Sequence, residues 1–69
     1  MNTGEKIDYM IQCLKVAKEE YEYETERYKH ECSEDYDWLN KHHITNKALI
    51  RENLRNVARM GFQVANEVK

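Results

Sequence analysis

Four residues near the middle of the chain carry the types that hold metals or act as nucleophiles: His30, Cys32, His42 and His43. Zinc takes four ligands from His and Cys, with carboxylates as substitutes. The spacing here is His-x-Cys, nine residues, then His-His, which differs from the Cys-x2-Cys pairs of zinc modules. On a continuous helix His30 and Cys32 point to different faces, because residues two apart are not neighbours. A zinc site therefore needs a helix end at this point and a further ligand such as Asp35, Asp37 or water. No cofactor is required by the sequence, and zinc is the one cofactor its residues suggest. The plainer reading is exposed histidines and a half-buried thiol. Cys32 beside His30 also has the types of a thiol–imidazole pair, yet no third group is placed to orient the imidazole and no enclosed pocket is implied. Gly4 and Gly61 stand alone, so there is no phosphate-cradling loop. An enzyme is not expected.

The second chemical pattern is a ladder of cations. Lys47, Arg51, Arg55 and Arg59 recur every four residues, which places them along one drifting face of a helix. Phosphate contact is one use of such a face. Salt bridging to Glu20, Glu24 and Glu31 of a facing helix is the more ordinary one. With a net charge of −2, the chain lacks the basic balance common in nucleic-acid binders, so that partner ranks below a protein. A third pattern interleaves acids with aromatics. Tyr21, Tyr23, Glu24, Tyr28, Tyr36 and Trp38 combine the residue types that anchor protein interfaces with negative charge. Together with Arg51, Arg55 and Arg59 they form the candidate partner-binding set. The alternative is that they cover the protein's own core.

These side chains need rigid elements to hold them. The chain has 69 residues, no proline and two glycines. Strand alternation and hairpin turn signals are missing, and the composition favours helix throughout. Asn2 and Glu5 have the spacing of a capping box, so a first helix starts near Asn2 or Thr3. Ile7, Met10, Leu14, Ala17, Tyr21 and Tyr28 step by three and four along it, the rhythm of a packed seam. It is expected to run to about Glu31. Ser33, followed by Glu34 and Asp35, suggests a helix restart, with one short turn from Glu34 to Lys41. Thr45 is the expected N-cap of a second long helix, with Ile44 stapled against Leu49. Gly61 lies on that helix's apolar stripe. It marks either a close helix crossing or the helix end, with frayed residues beyond.

The expected fold is all-α: one domain over residues 1–69, an antiparallel two-helix hairpin with a short helical turn at the bend. The core candidates are Ile7, Met10, Ile11, Leu14, Tyr21, Trp38, Leu39, Ile50, Leu54, Val57, Phe62, Val64 and Val68. One hairpin covers only half of each stripe, so a homodimer closing into a four-helix bundle is the default expectation, with Trp38 folding over the hairpin as the competing way to close a monomer. Chains this short bury a modest core and commonly add a metal or a subunit. Cys13 and Cys32 lie about 28 Å apart on a continuous helix, which excludes a disulfide between them. The start of the chain lacks the apolar core of a signal peptide. A cytoplasmic protein with reduced thiols follows, and no stretch suits a membrane span.

In its size, lack of proline and Lys/Glu/Tyr/Asn-rich helices, the chain resembles the small accessory proteins of phages and prophages, including anti-CRISPR-type inhibitors. The resemblance implies a protein that works by stoichiometric binding to a host factor, such as a defence nuclease. It assigns no functional residue. The sequence thus supports an interaction module first, a dimeric nucleic-acid-binding regulator second and a zinc-stabilised subunit third.

Overall fold

A computed structural model describes residues 1–68. Helix α1 spans Thr3–Cys32, α2 spans Tyr36–Lys41 and α3 spans Lys47–Glu67. There is no strand among the described residues. The capping box at the start of α1 is formed. The Glu5 amide donates to Asn2 Oδ1 at 2.8 Å, and the Asn2 amide reaches Glu5 Oε1 at 3.5 Å. The helix extends one residue past the expected end.

The joint after α1 differs from the expected Ser33 restart. Ser33 closes α1 instead, its amide and hydroxyl both donating to the Lys29 carbonyl. Glu34 then turns left-handed, with φ of 55°. The Glu34 amide returns to Glu31 O and the Asp35 amide to His30 O. This pair of bonds is the Schellman closure, which satisfies carbonyls that a helix end leaves open. Asp35, not Ser33, caps α2 by accepting from the Trp38 amide at 3.2 Å. Likewise Asn46, not Thr45, caps α3 by accepting from the Leu49 amide at 3.1 Å. Thr45 turns inward and is buried, while Ile44 is left 78% exposed and staples nothing. Of the two alternatives for Gly61, the helix end is not the one seen: α3 continues to Glu67, and Gly61 lies against Met10 of α1.

Helices α1 and α3 pack antiparallel. At the open end Lys6 pairs with Glu67, which also accepts from the Thr3 hydroxyl at 2.9 Å. At the bend Glu24 pairs with Lys47 at 3.6 Å, and Glu20 accepts from the Asn46 amide at 2.9 Å. The Glu24–Lys47 pair fixes the register, with Glu24 level with the first residue of α3. The cause is the joint: α2 and its flanks span the bend, letting α1 run on past the start of α3.

The phase of α1 also differs from the expected one. Its inward row is Thr3, Lys6, Met10, Cys13, Ala17, Glu20, Glu24 and Arg27, and that of α3 is Ile50, Asn53, Val57, Met60 and Val64. Both rows keep the three-four spacing of paired helices. Among the described residues, only Cys13 (5% exposed), Ala17 (4%) and Val64 (7%) are buried apolar residues. Of the thirteen core candidates, Val64 is buried, while Met10, Trp38, Leu39, Ile50 and Val57 are half-buried. Ile7, Ile11, Leu14, Tyr21, Leu54, Phe62 and Val68 are exposed. The hairpin closes on small and polar residues and leaves its bulkier apolar row outside.

Candidate interaction surface

The exposed row has a fixed place in the geometry. Ile7, Leu14, Tyr21 and Tyr28 each follow a seam residue of α1 by one position and repeat every seven. Ile11 follows Met10 in the same way. On α3 the corresponding positions hold Leu54, Ala58, Gly61, Ala65 and Val68. In an antiparallel pair, positions displaced in the same sense from the two seams fall on one side of the hairpin. The opposite side illustrates the rule: Tyr9, Asn56 and Gln63 each precede a seam residue, and all three line one open groove of about 260 Å³ with Arg59, Met60 and Met1. The rows after the seam therefore share the other long side. There Ile7 is 41% exposed, Ile11 47% and Leu14 46%.

The bend covers one side only. Helix α2 lies against Tyr23 and His30, both one position before the seam. Trp38 is sandwiched between two imidazoles, with ring centroids 3.9 Å from His30 and 3.9 Å from His42 and planes within 9° of parallel. Tyr23 stacks on His43 at 4.6 Å and its hydroxyl donates to the His43 carbonyl. Arg27 donates to the carbonyls of His42 and His43, tying the exit of α2 back to α1. His30 Nδ1 lies 3.0 Å from Asp35 Oδ2 and its Nε2 lies 3.2 Å from Glu26 Oε1. A doubly protonated ring can donate to both carboxylates; a neutral ring donates to one. The Asp35 carboxyl is held below its ordinary value, first by the Trp38 amide and then by His30.

The four residues considered for zinc are not gathered into a ligand set. His30 is occupied by two carboxylates and Trp38. His42 Nδ1 lies 2.7 Å from the Trp38 carbonyl. His43 stacks on Tyr23, and Cys32 is an exposed free thiol at the end of α1. Among the described residues no three His, Cys, Asp or Glu side chains converge as a metal site. Cys32 and His30 likewise form no thiol–imidazole pair.

The residues considered for a partner separate by side. Tyr21, Tyr28, Arg51 and Arg55 are exposed on or beside the apolar row, and Tyr36 is exposed at the start of α2. Tyr23 and Trp38 are used in the bend. Glu24 is used in the seam, its carboxyl held low first by the adjacent Thr45 hydroxyl and then by Lys47. The Thr45 hydroxyl is buried and closes no hydrogen bond of ordinary geometry. The cation ladder splits as well. Lys47 pairs with Glu24 across the hairpin. Arg59 turns to Glu52 at 3.0 Å and Asn56 at 2.7 Å on its own helix. Arg51 and Arg55 make no ion pair among the described residues. Cys13 lies in the seam and is buried. The Tyr9 phenol is pushed above its ordinary value, chiefly by the Cys13 thiol one turn on.

No family model, curated protein or solved structure matches the chain. No described helix is long and apolar enough to cross a membrane.

Proposed function

We propose that this chain is a protein-interaction module that acts by stoichiometric binding through one long side of its helical hairpin. A single observation carries the reading: the aliphatic and aromatic row Ile7, Ile11, Leu14, Tyr21, Tyr28 and Leu54 faces solvent while Cys13 and Ala17 fill the seam. Extended apolar surface on a small protein marks a place where another chain sits. Amphipathic helices dock by presenting residues at this spacing. Tyr21, Tyr28 and Arg51 add the residue types that dominate binding energy. The likeness to small phage accessory proteins supports a host factor, such as a defence nuclease, as the object of that binding.

The test compares tagged wild-type protein with the double variant I11E/L14E in capture from bacterial lysate. Both sites are about half exposed, outside the seam of the hairpin, and circular dichroism at a temperature below the variant's melting transition checks that it is folded. Proteins held by the wild type and lost from the variant support the reading. Identical captures would sink it. A second reading, phosphate contact by Arg51 and Arg55, is favoured by their lack of ion-pair partners among the described residues. It predicts duplex binding that falls steeply with salt, and no affinity at low salt removes it.

A further inference from the structure

We infer that the exposed apolar side is filled by a second copy of this chain, related by a two-fold axis parallel to the helices, to form a four-helix bundle. The inference rests on the interaction-module reading and names its first partner. Three observations carry it.

The first is area. A folded monomer of 8.4 kDa exposes about 4,600 Å² by the usual scaling with mass. This chain exposes 5411 Å², an excess of about 800 Å². That excess equals one partner's share of a standard-size interface, about 800 Å². It also equals one long face of the molecule, whose extents are 53 × 15 × 14 Å. The surplus surface is thus of the size that one equal-length hairpin covers.

The second is shape. The exposed side carries bulky residues on α1 and small ones on α3 at matching heights. Within the hairpin, Met10 lies against Gly61 and Glu24 against Lys47. The same register puts Ile7 level with Ala65, Ile11 with Gly61 and Leu14 with Ala58. A two-fold axis along the hairpin lays α1 of one copy over α3 of the other at unchanged height. Each of the three aliphatic side chains then meets a small residue of the second copy, and the contact repeats reciprocally, as an isologous interface requires. Ala58, Gly61 and Ala65 let the helix axes approach, and all neighbouring helices run antiparallel.

The third is charge. Lys18 is the charged residue of α1 between Leu14 and Tyr21 on this side, and it leans outward to Glu22 at 3.8 Å. Arg51, without an ion pair among the described residues, stands level with Tyr21 and near Glu22 of the second copy. It gains a ring face and a carboxylate there. The other long side, with Tyr9, Arg59 and the bend helix, offers no such reciprocal match.

Sedimentation equilibrium on the full chain gives the first result. The wild type is expected at twice its chain mass. I11E and L14E are each expected to weaken association by about 100-fold or more, because each sets a carboxylate into an apolar contact. Q63E, on the opposite side, is expected to leave the dimer intact. Cysteine cross-linking in a C32S background gives the register, since Cys13 is buried. A mixture of I11C and G61C chains is expected to form an inter-chain disulfide on oxidation, and I11C alone is not. Self-cross-linking of I11C, or a dimer unaffected by I11E and L14E, overturns the arrangement. A wild type that stays monomeric overturns self-association. If its captured proteins are still lost from I11E/L14E, the interaction-module reading survives; if they are not, both fall.

Discussion

Glu34 holds the one left-handed backbone position among the described residues, with φ of 55°. A side chain there costs about 1 kcal/mol or more through contact of Cβ with the following carbonyl. Glycine removes that contact, with a smaller loss to its extra freedom in the unfolded chain. E34G is therefore expected to stabilise the hairpin by about 0.5–1 kcal/mol, read as a higher midpoint in urea with unchanged slope. One residue on, Asp35 links protonation to the bend. Its carboxyl sits below the ordinary value of 3.8 because the Trp38 amide and His30 favour the charged form. A depressed folded value means that the contribution is fully present above 3.8 and is lost as pH falls through the lower folded value. Trp38 lies in the imidazole sandwich and reports the state of α2 directly. Its fluorescence is expected to change as pH falls below 3.8, through the depressed folded value. In D35N that acid transition should be blunted and α2 already loosened at neutral pH. An unchanged acid transition in D35N would detach Asp35 from the bend.

At the scale of elements, what the sequence exposes and what it conceals have separate causes. Helix type and the start of α1 are legible because Asn2 and Glu5 cap it through short-range bonds. The bend is less so. Ser33, Thr45 and Asn46 all have capping side chains, and which one caps depends on where the backbone turns. Here Glu34 sets that turn without a glycine to announce it. The seam of α1 is concealed for another reason. Two three-four rows share Met10 and Ala17; the more apolar one adds Ile7, Leu14, Tyr21 and Tyr28 and reads as core, while the true seam adds Lys6, Cys13, Glu20 and Arg27. The hairpin instead closes on Cys13 and Ala17, whose small side chains permit a close seam, with Lys6, Glu20 and Glu24 satisfied at the ends. The aromatic set was visible as residue types, but its division between a bend cluster and an open face requires α2. That division is testable. W38A removes stacking with both His30 and His42, at about 0.5–1.5 kcal/mol per aromatic pair. A loss of about 2 kcal/mol is expected, with α1 and α3 remaining helical by circular dichroism. A global loss of helix would show instead that the bend nucleates the hairpin.

For the whole molecule, the radius of gyration is 16.2 Å, where a compact chain of 69 residues has about 11 Å. So elongated a body has little interior. Among the described residues no large side chain is fully buried, and apolar burial of about 25 cal/mol per Å² is the main term opposing chain entropy. Polar clasps at the two ends add little, because solvent screens ion pairs as exposed as Glu24–Lys47. A lone hairpin is then marginal, and covering its open side is the large stabilising step that remains. Folding coupled to pairing makes stability depend on protein concentration. Each tenfold increase favours the folded dimer by about 1.4 kcal/mol. That corresponds to a rise of a few degrees in melting temperature for a body of this size. A melting series over a hundredfold range should therefore climb steadily for the wild type. For L14E it should lie flat and lower, since the variant keeps the seam and loses the second copy. A wild-type melting temperature independent of concentration would mean that Cys13, Ala17 and Val64 suffice to hold the two rods together.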